Sequence, residues 1–225
     1  MFSGFTQETL SFFRDITENN NKPWFDEHKT VYQKHVRQPM IDLLNDLSLS
    51  LLPLDPQIDS MPPNSAVSRI NRDVRFSKDK SPYRNKMWLT VKRHNSNWKE
   101  YPCFYVEISE HTYTYGMGFY SATTETMKGL REFIAGSPDS FRKMVSLAGE
   151  KDGFIPGSER YKRILSKTIP EDLICWYQMK NIHVYKERLI GSSFFTPELT
   201  DEICGEFEKV KDLYLLLSRL AYSEF

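Results

Sequence analysis

Residues 68–86 carry seven basic side chains, Arg69, Arg72, Arg75, Lys78, Lys80, Arg84 and Lys86, against two acidic ones, Asp73 and Asp79. The chain as a whole balances 30 Lys and Arg with 30 Asp and Glu, so this stretch is a distinct electropositive feature of a neutral protein. Guanidinium forks and ammonium point charges at this density suit a phosphate or a carboxylate. Arg72, Arg75, Lys78 and Lys80 would supply the charge, while the Ser77 and Tyr83 hydroxyls would add orienting contacts. Asp73 beside these cations ionises readily and would hold a guanidinium in place or serve as an acid–base group. Asp73 and Tyr83 are therefore the candidates for a catalytic role. The residue types name a ligand class, an anionic and phosphate-bearing small molecule, without naming a reaction. A plainer reading is a charged strand and turn whose ions pair with acidic helices elsewhere, or which docks an acidic protein partner.

The spacing inside the stretch adds a shape. Strand alternation would place Arg69, Asn71, Asp73 and Arg75 on one side, with Ile70, Arg72, Val74 and Phe76 on the other. Arg72 is then the one charge on an apolar side and needs a partner, with Asp79 or an acidic helix residue as candidates. Residues 77–83 read as a turn, because Pro82 fixes one dihedral and disfavours helix at Ser81.

Other constellations say less. Ser77 and Lys80 fit an S-x-x-K spacing, but that chemistry needs a helix start, which Pro82 opposes. His28 and His35 stand seven apart on a helix with no third ligand in view, so no metal site is expected. Gly116 and Gly118 lack the third glycine of a dinucleotide fingerprint and more simply mark a bulge or a close backbone approach. They lead, however, to the start of a helix at Thr124, whose exposed amides favour anions. If that start faced residues 72–80, the two would share one pocket. Asn20 and Trp24 read as a helix start with a core anchor, or as the lining and wall of the same pocket. The aromatic run Tyr101, Phe104, Tyr105, Tyr113, Tyr115, Phe119 and Tyr120 reads as sheet packing.

These residues need a scaffold, and the periodicity supplies one. Leu10, Phe13 and Ile16 follow Thr6, a suitable N-cap. After the break at Asn19–Asn21, a long amphipathic helix carries Trp24, His28, Val31, Tyr32, Val36, Met40, Leu43, Leu44, Leu47 and Leu51 on one face. Pro39 removes a backbone donor inside it and should kink or split it near Gln38. Pro53, Pro56, Pro62 and Pro63 make residues 51–64 a surface connection. Strand-like segments then occupy 66–70, 87–92, 103–109 and 112–119, with hairpin-length links that imply antiparallel pairing. Helices are expected over 124–135, 138–147 (capped by Ser137) and 170–179, with a strand over 182–189. A last helix begins at Thr196–Pro197 and shows Leu199, Ile203, Phe207, Val210, Tyr214, Leu217 and Ala221 on one face. The expectation is an α+β fold. A mostly antiparallel sheet, about 66–120 plus 182–189, is packed by N- and C-terminal helices. Residues 1–225 form one domain, helical over 1–52, sheet-rich over 66–120, and helical again over 124–180 and 197–222.

Zero net charge predicts no generic attraction to nucleic acid or to an anionic membrane. No run of about 18 apolar residues occurs, so no membrane span is expected. The first residues read as a helix start, not a signal peptide. Cys103, Cys175 and Cys204 are too few and too scattered for a disulfide framework, which suits a reducing cytoplasm. No residue pattern points to a particular cofactor.

Three stretches taken together, NNNKPWF at 19–25, RDVRFSKDKSPY at 72–83 and GMGFY at 116–120, resemble the family called domain of unknown function 2461. The likeness runs in order along nearly the whole chain. The family has no activity to carry over, so the resemblance implies a shared fold and a shared motif and assigns no catalytic role.

Overall fold

The computed structural model describes residues 1–58, 62–75, 78–94, 97–146 and 153–222. Helix α1 (Gln7–Glu18) opens with the capping arrangement expected at Thr6, whose amide donates to the Thr9 hydroxyl at 3.1 Å. It buries Thr9, Phe12, Phe13 and Ile16, so Phe12 takes the inward place expected of Leu10. Asn21 caps α2 (Lys22–Val31) by accepting from the Trp24 amide at 3.1 Å.

The long helix is divided where Pro39 requires it. A π-helical turn, Tyr32–Arg37, separates α2 from α3 (Gln38–Leu51). Pro39 has no amide to offer the carbonyl of His35, four residues back. That carbonyl instead accepts the Thr9 hydroxyl at 2.6 Å, and the Gln38 amide reaches Gln33, five residues back. The wider turn also shifts the helical phase. Tyr32, Val36, Met40, Leu43, Leu44, Leu47 and Leu51 are buried as expected, whereas before the π turn Phe25 faces inward and Val31 is exposed.

A short helix α4 (Pro63–Ala66) precedes the sheet strands β1 (Lys86–Val91), β2 (Pro102–Ser109) and β3 (Thr112–Phe119). The strand expected over 66–70 is replaced by the end of α4 and one antiparallel bridge, Val67 to Leu89. Phe104, Val106 and Ile108 of β2 are fully buried, as their alternation requires. Thr123 caps α5 (Thr124–Gly136) by accepting from Thr126. Helix α6 (Pro138–Met144) follows, and Ser137 makes no side-chain cap to it. Strand β4 (Ile155–Pro156), helix α7 (Ile174–Tyr177) and strand β5 (His183–Leu189) come next. The last helix is two, α8 (Glu198–Lys209) and α9 (Lys211–Tyr222), parted at Val210. The apolar stripe survives the break, since Leu199, Ile203, Phe207, Val210, Tyr214 and Leu217 are all buried.

The fold is α+β, with a five-stranded antiparallel sheet in the order β1-β2-β3-β5-β4. The chain forms two compact units. The first comprises Met1–Lys92, Tyr105–Tyr115 and Glu187–Gly205, and within it α3 and α4 pack against β1. The second comprises Arg93–Phe104, Gly116–Lys186 and Glu206–Phe225, and within it α5 packs on α6, α7 and α9. Among the described residues no helix is long and apolar enough to cross a membrane.

Candidate functional site

The basic stretch lies in the first unit as a loop with a closed neck. Residues 68–72 run antiparallel to 82–88 without forming a continuous strand. The Asn71–Tyr83 bridge, Arg72 N–H to Pro82 O at 2.8 Å and Arg84 N–H to Ile70 O at 2.8 Å close the neck. A regular ladder fails here for local reasons. Pro82 has no amide to donate. The carbonyls of Arg69 and Asn71 are both taken by the Arg84 guanidinium, at 2.8 and 2.6 Å. The Trp88 amide donates to the Ser68 hydroxyl at 3.0 Å. The alternation read from the sequence persists as burial: Ile70 is buried and Arg72 and Val74 are half-buried, while Asn71, Asp73 and Arg75 are exposed.

The neck is pinned to the α1–α2 connection from outside. The Asn20 amide donates to Tyr83 O at 3.0 Å, and its oxygen accepts from Tyr83 N–H at 2.9 Å. The Tyr83 ring is buried and stacks on Phe25 at 4.4 Å. Burial, and then the Asp26 carboxylate, push the Tyr83 hydroxyl above its ordinary pKa. Two stretches that lie far apart in the chain, 19–25 and 72–83, thus meet in one joint. Trp24 stands beside it, half-buried between Phe12 at 5.8 Å and a stacked His28 at 4.0 Å.

The charges divide into braces and an unbalanced remainder. Arg72 meets Asp79 at 2.7 Å, the partner its half-buried position called for, and its Nη2 points at Tyr83 O at 3.5 Å. Its Nε is buried and has no hydrogen-bond partner among the described residues. Arg75 grips Asp73 with Nε and Nη2 at 3.0 and 2.7 Å. This grip, aided by the Arg75 amide, holds the Asp73 carboxyl down to about 2. Asp79 is lowered too, mainly by hydrogen bonds from Ser81 and then by the Arg72 charge. Lys86 pairs with Glu107. By contrast, Lys80 donates to the Val74 carbonyl at 2.8 Å, and among the described residues Arg84 holds only carbonyls while its guanidinium lies 5.0 Å over Trp88. Burial and the nearby Arg72 charge lower the Arg84 pKa, the mark of two guanidinium groups within each other's field. Lys78 is exposed.

Of the residues singled out in the sequence, Asn20, Trp24, Arg72, Asp73, Arg75, Lys78, Lys80 and Tyr83 fall in this unit around the loop and its joint. Asn20 and Tyr83 spend their polar groups, or their burial, on fixing the neck. Ser77 and Phe76 lie outside the described residues. Gly116 and Gly118 stand in β3 and belong to the second unit. There Gly118 admits a close approach: a Cβ would come 2.4 Å from the His183 Cα. Three acidic residues of α8 are engaged elsewhere, Glu202 with Tyr113 and Ser193, Glu206 with Lys186 and Lys209, and Glu208 with Lys211. Sequence reasoning missed Arg84 as an organiser of the loop. Its spacing of 13 and 15 residues from the carbonyls it binds matches no local pattern.

No curated protein matches the chain. The family described as "Conserved hypothetical protein (DUF2461)" matches residues 8–215 of the 225. That span contains the Asn20–Tyr83 joint, the basic loop and the glycine-bearing strand β3, and the chain belongs to this family.

Proposed function

We propose that the 72–82 loop recognises an anionic, phosphate-bearing small ligand. The observation that carries this reading is the unbalanced charge. Arg84 and Lys80 are bound to carbonyl oxygens, which fix their positions without neutralising them, so a cationic field remains on a braced frame. A preordered set of donors loses little entropy on binding. Lys78 and Lys80 would meet the anion, with Arg84 and the Nε of Arg72 adding to the field. Ser77 would contribute a hydroxyl. Asp73 and Asp79 act in this reading as braces for Arg75 and Arg72. A cytoplasmic setting, where phosphate-bearing metabolites abound, accords with the three scattered cysteines.

A second reading, docking on an acidic protein partner, draws support from exposure. The Arg75 side chain is 76% exposed and Asp73 52%, as suits a projecting surface. The two readings are separated by thermal unfolding at constant ionic strength with inorganic phosphate, pyrophosphate, triphosphate or poly-glutamate. Binding to the native state at one hundred times Kd stabilises by about 2.7 kcal/mol. Stabilisation rising from phosphate to triphosphate, and lost in Lys78→Ala/Lys80→Ala, is the expected result. Stabilisation by poly-glutamate alone would favour the docking surface, and no response to any of the four would overturn both.

A further inference from the structure

The second unit holds a separate pair of reactive side chains. Strand β4 pairs antiparallel with β5, Ile155 opposite Tyr185 and Pro156 opposite Val184. The Gly157 amide extends the pairing to the His183 carbonyl at 3.1 Å. The next residue, Ser158, therefore arrives beside the His183 ring, with its Oγ 3.1 Å from Nδ1. Both residues are half-buried, so the pair is fixed yet reachable.

Two glycines make room for this histidine. A Cβ on Gly157 would lie 2.2 Å from His183 Nε2. On the β3 side, Gly118 adopts φ +155°, and a Cβ there would lie 2.4 Å from both the Cα and the Cβ of His183. The Gly157 backbone thus lies against the imidazole and the Gly118 backbone against the His183 Cα and Cβ, and the Tyr185 ring lies 6.0 Å away at 27°. Burial also lowers the His183 pKa, keeping the ring neutral and able to accept a proton at neutral pH.

We propose that Ser158 and His183 form a nucleophile–base pair that acts on small acyl esters. The Ser158 hydroxyl donates to Nδ1, with the ring proton on Nε2. Ser158 Oγ then forms a bond to the acyl carbon as its proton passes to Nδ1. The ester C–O bond breaks, and His183 returns that proton to the departing alkoxide. Water, deprotonated by His183, hydrolyses the acyl-serine to give the acid and free Ser158. Among the described residues no carboxylate bonds the ring, and the Gly157 backbone against its Nε2 edge positions it sterically.

The test is covalent labelling of the full chain with a fluorophosphonate, in which Ser158 Oγ bonds to phosphorus and fluoride leaves. One adduct per chain on Ser158 is expected, and Ser158→Ala should carry none. His183→Gln keeps a hydrogen-bonding side chain without a base. It should slow labelling by about 100-fold or more while the melting temperature stays near that of the native chain. Should His183→Gln unfold, the pH profile of the native chain decides instead. The labelling rate should rise through one ionisation below the usual histidine range. No adduct, an adduct elsewhere, or a rate indifferent to pH and to His183 would each overturn the pair. Because the readout is a covalent adduct on Ser158, its failure is distinguishable from a failure of anion binding at the 72–82 loop.

Discussion

Replacing Asn20 with alanine removes both hydrogen bonds that pin the neck of the basic loop to the α1–α2 connection. The Tyr83 carbonyl retains a long contact from Arg72 Nη2 at 3.5 Å, so its loss is partial. The Tyr83 amide has no such reserve, since its partner is the Asn20 oxygen at 2.9 Å and the residue is 4% exposed. An orphaned buried amide costs about 1–3 kcal/mol, and a hydrogen bond that is partly replaced costs about 0.5–1 kcal/mol. Together these give about 1.5–4 kcal/mol for Asn20→Ala. At an m-value of about 2–3 kcal/mol/M in urea, the unfolding midpoint should fall by about 1 M.

The loss should also be local in character. Opening the neck frees the tip, so trypsin should cut after Arg75, Lys78 or Lys80 under conditions where the native chain resists. Urea unfolding followed by tryptophan fluorescence and by far-ultraviolet circular dichroism, together with timed trypsin digestion, checks both effects. A midpoint shift below about 0.3 M with unchanged cleavage in the loop would refute the reasoning. It would show that the Phe25–Tyr83 stack or the 70–84 backbone pairing holds the neck unaided.

Glu206→Gln should destabilise by about 3–5 kcal/mol, because it strips a buried ammonium of its carboxylate. Lys186 Nζ sits 3.1 Å from both Glu206 oxygens, and the two side chains are only 7% and 11% exposed. The double change Lys186→Met/Glu206→Leu should recover most of that loss in chemical denaturation. Burial raises the Glu206 pKa, but the Lys209 and Lys186 ammonium groups outweigh it and the net shift is downward. The stability this group confers is thus complete above its unfolded value of about 4.3 and is lost as pH falls through the lower folded value. The stability difference between the native chain and Glu206→Gln should therefore shrink in acid, as denaturation midpoints across pH would record. Gly118→Ala places its Cβ 2.4 Å from the His183 Cα and 2.5 Å from the Ile182 carbonyl oxygen. Backbone on that side cannot step aside as a flexible side chain would, so a cost of about 2–4 kcal/mol is expected. A melting temperature within about 1 °C of the native chain would count against this close approach.

Much of the scaffold is legible locally. Asn21 and Thr123 cap helices because a short polar side chain reaches a free amide three residues on. Phe104, Val106 and Ile108 declare a strand because alternate side chains face one way. Pro39 announces trouble in its helix, but not the remedy. The remedy is a π turn, and the hydroxyl that rescues the His35 carbonyl comes from Thr9, 26 residues away. The strand expected over 66–70 fails for a related reason. Its edge carbonyls find Arg84, a side-chain donor that no period-two pattern registers. The break at Val210 has no proline or glycine to announce it, and the tightened turn there shows only as a bond from its amide to the Phe207 carbonyl.

The sequence by itself determined where the charge lies and that Arg72, alone on an apolar side, needed an acid. Both follow from residue type and local spacing, and Asp79 is near enough in the chain to be named. Only the tertiary structure decided what the rest of that chemistry is for. Asn20 and Tyr83 proved to be two halves of one joint, Arg84 a clasp on two carbonyls, and Gly118 a clearance for His183. Hydrogen bonds and close approaches act over about 3 Å whatever the separation along the chain. Pairings of that kind are set by how the chain returns on itself, and no local pattern records them.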